Sequence, residues 1–69
     1  MFIYVFHAHD HGDMFAFDSL AKVKKYTKDY HVTHYQATGI KWRGLLPTIT
    51  DANGDYEPDD IEILKLKVQ

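Results

Sequence analysis

Cysteine is absent from this 69-residue sequence, and with it go a disulfide framework, a thiolate metal site and a cysteine nucleophile. Small secreted domains usually need such staples, so the composition points to a cytoplasmic protein. Serine is nearly missing too: Ser19 stands alone, at a place where a helix cap is expected, and no glycine-rich phosphate loop accompanies it. Long apolar runs are lacking as well. The opening stretch Met1–Phe6 stops at His7, far short of the about 20 residues that cross a bilayer, and reads as a strand rather than a signal or a membrane anchor. There is no excess of positive charge: Lys and Arg total 8 against 10 Asp and Glu, a net −2, which argues against anionic lipid and leaves nucleic-acid binding, through Trp42, Lys41, Arg43 and the helix lysines, as a rival reading only. Nor is an enzyme expected, because the carboxylates fall in turns open to water, where nothing encloses a substrate or raises a pKa.

What remains is apolar and rich in rings. Hydrophobic residues make up 45% and aromatic ones 14%, the composition of a folded domain rather than a disordered chain. So short a chain buries only about 60% of its unfolded surface, which implies one domain over residues 1–69 with a thin core. Phe2–His9 alternates Phe2, Tyr4 and Phe6 with Ile3, Val5, His7 and His9, a strand that is largely apolar on both sides. Asp10-His11-Gly12-Asp13 is turn chemistry, so Met14–Phe17 reads as the returning strand of a hairpin. A helix capped by Asp18 or Ser19 is predicted to run to about Asp29, with Leu20, Val23, Thr27 and Tyr30 inward and Lys22, Lys24, Lys25 and Lys28 outward. His31–Tyr35 and Thr38–Arg43 look strand-like, Asn53-Gly54 marks a tight turn, and Ile61–Val68 alternates as a last strand. The predicted class is α+β, ordered β-β-α-β-β: an antiparallel sheet of about four strands, helix on one face, with room for one more short strand before Asn53.

Two stretches carry metal-ligand chemistry. In the first, His7, His9, His11 and Asp13 crowd one strand end and its turn, with Asp10 between them and His31 and His34 farther along. Imidazoles and carboxylates at that density suit zinc or another divalent ion. This run resembles the His-x-His-x-Asp-His signature of the metallo-β-lactamase superfamily. The spacer before Asp10 is missing and the chain is too short for that fold, so no hydrolase activity is implied. The second stretch, Asp51 to Glu62, resembles the twelve-residue EF-hand calcium loop, with oxygen ligands at Asp51, Asn53, Asp55, Glu57, Asp59 and Glu62. It departs from that pattern at Tyr56, where the loop requires glycine, and at Pro58. No cofactor is expected beyond such an ion.

The leading functional expectation comes from coverage. One helix hides one side of a sheet, and neither side of the first strand is polar enough to face water comfortably. A partner protein, or a second copy in a homodimer, is expected on the other side, with Tyr4, Tyr35, Trp42 and Arg43 as anchors. The acidic Asp55, Glu57, Asp59 and Asp60 form a second contact candidate. In layout the chain is similar to small accessory proteins of bacteriophages and prophages. That resemblance implies an inhibitor of a host or bacterial defence protein, such as an anti-CRISPR, whose acidic segment competes with nucleic acid for a basic groove.

Overall fold

A computed structural model describes all of residues 1–69. The elements run β1 (Phe2–Ala8), β2 (Asp13–Phe17), α1 (Leu20–Tyr35), β3 (Gly39–Arg43), β4 (Leu46–Asp51), β5 (Gly54–Tyr56) and β6 (Ile61–Lys67). The α+β class and the single helix are as expected, but the strands do not form one sheet of about four. They divide into two antiparallel sheets of 3 strands each, ordered β2-β1-β6 and β3-β4-β5.

The division follows from two turns and one long helix. Gly44 (φ 61°) and Gly54 (φ 119°) take up backbone that other residues resist. They fold β3, β4 and β5 back on one another as a meander. The stretch His31–Tyr35, expected as a strand, instead continues the helix. Its β-branched and aromatic side chains favour a strand locally, but packing outweighs so weak a preference. His31 is buried, its Nδ1 donates to the Thr27 carbonyl at 2.7 Å, and the Tyr30 ring meets it edge-on at 5.2 Å. At the other end Ser19 is the cap: extended at φ −145°, its hydroxyl accepts from the Lys22 amide at 3.1 Å.

In the first sheet, antiparallel register puts Phe6 opposite Ile63 and Phe15, and Ala8 opposite Ile61 and Asp13, all on one side. The helix lies there, contributing Val23, Thr27 and Tyr30 as buried residues. The core is therefore aromatic. The Phe6 ring sits 5.0 Å from both Tyr26 and Tyr30, and Phe15 and Phe17 each approach Tyr26 to 5.3 Å. Truncating a fully buried Phe such as Phe6 costs about 3–5 kcal/mol, much of what holds a small domain together. Trp42 and Leu45, from β3 and the turn after it, close the same cluster from the side of the second sheet.

Candidate functional site

The reverse side of the first sheet shows what this core leaves out. The register aligns Ala16, Val5 and Leu64 in one row, Ile3 beside Leu66, and Met14, His7 and Glu62 in another row. The buried core cluster of Phe6, Ala8, Val23, Tyr30, Ile61 and Ile63 excludes Val5, whose side chain points the other way. Met14 is 59% exposed and Leu66 49%, and no element of the chain is packed over this side as α1 is over the other. Leu45, in the segment best placed to fold back, joins the helix side instead. The side turned from the helix carries Ile3, Val5 and His7, of which Val5 is buried and the other two half-buried, and the helix side carries Tyr4, Phe6 and Ala8.

At one end the apolar surface gives way to His7, His9 and Glu62. Glu62 is the cross-strand partner of His7, and His9 follows two residues on, on the same side. Ligand atoms of all three lie within 4.8 Å of one another. His9 Nε2 is 3.4 Å from Glu62 Oε1, and the two imidazole rings are 3.9 Å apart. The expected metal residues are thus parted. His7 and His9 come together, whereas Asp13 pairs opposite Ala8 on the helix side and His11 Nε2 lies 3.3 Å from the Tyr35 hydroxyl. Glu62 takes their place. Sequence reading assigned it to the calcium-like loop, and only the register of β6 against β1 reveals its true neighbours.

The oxygen ligands of the calcium-like loop are not gathered into one cluster. Asp51 Oδ1 accepts from the Asn53 amide at 2.8 Å and Asp55 Oδ1 accepts from the Thr50 hydroxyl at 2.6 Å, both within the β4–β5 hairpin. Glu57, Asp59 and Asp60 instead join Asp10, His31 and Tyr35 around an open pocket of about 460 Å³. Burial lowers the His31 pKa, against the raising effect of its bond to Thr27. Burial likewise pushes the Tyr30 hydroxyl up, and both Tyr30 Oη and His31 Nε2 are buried without a hydrogen-bond partner. Of the expected anchors, Tyr4 and Trp42 pack against the core, and Lys24 Nζ sits 5.2 Å over the Trp42 ring. Arg43 is exposed on the outer side of the second sheet, and Tyr35 is exposed beside His11.

No protein family matches this chain, and no curated protein or solved structure is similar to it. No helix is long and apolar enough to cross a membrane.

Proposed function

We propose that this protein is a non-enzymatic binding module whose working surface is the bare side of the first sheet, and that its occupant is a second copy of the chain. The observation that supports this is the uncharged block turned away from the helix, in which Met14, Ala16 and Leu66 are exposed, Ile3 and Leu64 half-buried and Val5 buried. A patch without charge has no electrostatic signature to select a foreign surface and is complementary to itself, as a two-fold interface requires. Sheet sides also pack on one another naturally, at about 10 Å.

Size sets the strength of the association. Three strands about 4.8 Å apart and about 3.3 Å per residue give a side of roughly 300 Å² for the 7 residues of β1. Two such sides fall below the about 1,200 Å² of a stable complex, so the dimer is weak and reversible, in the micromolar to millimolar range. Sedimentation velocity over a concentration series tests this. The wild type should shift toward dimer as concentration rises, and Leu66→Lys and Met14→Lys should remain monomeric with an unchanged circular dichroism spectrum. A wild type that stays monomeric at millimolar concentration overturns the reading and leaves a partner of different sequence for this surface.

A further inference from the structure

The geometry points to a site for one divalent transition ion of the zinc class, held by His7 of β1, His9 of the turn that follows it and Glu62 of β6. This goes beyond the self-association proposed above and depends on different side chains.

The backbone fixes the ligand set before any side chain moves. His7 and Glu62 are paired residues of an antiparallel ladder and His9 is two positions further along. His7 and Glu62 project from the same side of a hydrogen-bonded sheet, a firmer support than a loop, and His9, in the turn just beyond, is tied to it by its amide, which donates to the Asp60 carbonyl at 2.7 Å. The distances then distinguish a chelating set from an ordinary ion pair. A charge-assisted bond between imidazolium and carboxylate draws in to about 2.7–2.9 Å. Two ligands about 2.0–2.1 Å from a tetrahedral ion sit roughly 3.4 Å from each other. His9 Nε2 and Glu62 Oε1 are 3.4 Å apart, the edge of such a tetrahedron and too long for a good ion pair. The remaining separations reach at most 4.8 Å, within what rotation of these accessible side chains closes.

Ligand chemistry names the ion class. Two imidazole nitrogens and one carboxylate oxygen suit zinc and its first-row neighbours, whereas calcium and magnesium take oxygen throughout. Three protein ligands leave a coordination position open to water. The His7 and His9 rings lie 3.9 Å apart between centres, tilted at 45°, close enough to present both imidazoles to one cation.

The test is titration of the metal-free full chain with cobalt(II), followed by visible absorption, and with zinc, followed by calorimetry. One ion per chain is expected. His9→Ala and Glu62→Gln should each weaken binding by at least about 100-fold, the upper end of what losing a group that merely supports a ligand costs. His11→Ala and Asp13→Asn should bind as the wild type does. So should Leu66→Lys, which separates this site from self-association. Absence of saturable binding at millimolar zinc, or equal binding by a His7→Ala/His9→Ala double variant, overturns the proposal.

Discussion

His31 shows how one buried side chain ties this fold to pH. Its Nδ1 donates to the Thr27 carbonyl, so the neutral ring carries its proton there and Nε2 holds a buried lone pair without a partner. Protonation would charge a ring that is shut away from water, and this burial, outweighing the raising effects of the Thr27 carbonyl and Asp60, lowers the folded-state pKa below the ordinary 6.5. Above 6.5 the ring is neutral folded or unfolded and stability is unaffected. As pH falls below that value, the unfolded chain takes up a proton that the folded chain refuses, and stability declines until the folded pKa is passed. The urea midpoint of the wild type should therefore drop as pH is lowered through 6.5, and His31→Gln should show a shallower decline. Equal slopes for the two proteins would remove His31 as the cause.

At the scale of elements, the helix was legible in its beginning but not in its end. Ser19 and the spacing of Val23, Thr27 and Tyr30 announce the start and the inward stripe, because capping and periodicity are local. The last turns carry His31, Val32, Thr33 and Tyr35, residues whose local preference is extended; of these only His31 is buried, and it is the residue that ties the last turns to the core. The terminus shows the same tension: Gln36 adopts φ 55° and ψ 36°, left-handed values that favour glycine. Gln36→Gly should raise stability by about 0.5–1 kcal/mol in chemical denaturation; a loss would mean that the glutamine side chain makes a contact of its own. The strands were likewise readable singly and not in assembly. Alternation located β1, β2 and β6, but the partition into two sheets depends on which edges meet, and no residue type encodes that. Glu62 is the clearest case. Its place beside His7 and His9 is set by pairing between the first and last strands, which lie far apart along the chain.

For the molecule as a whole, the two sides of the first sheet differ in what their apolar residues do. Phe6, Val23 and Ile63 are enclosed, and polar replacements there should cost several kcal/mol and empty the folded state. Leu66 and Met14, at 49% and 59% exposed, touch too little to matter that much, and polar replacements there should stay within about 0.5 kcal/mol of the wild type. Two saturation scans, one scored by intracellular abundance and one by whatever growth or protection phenotype the protein confers, would consequently disagree at a narrow group of positions. Substitutions that leave the amount of protein intact yet abolish its effect would gather on Ile3, Met14, Leu64 and Leu66, so the surface on which two copies meet could be drawn from phenotype alone.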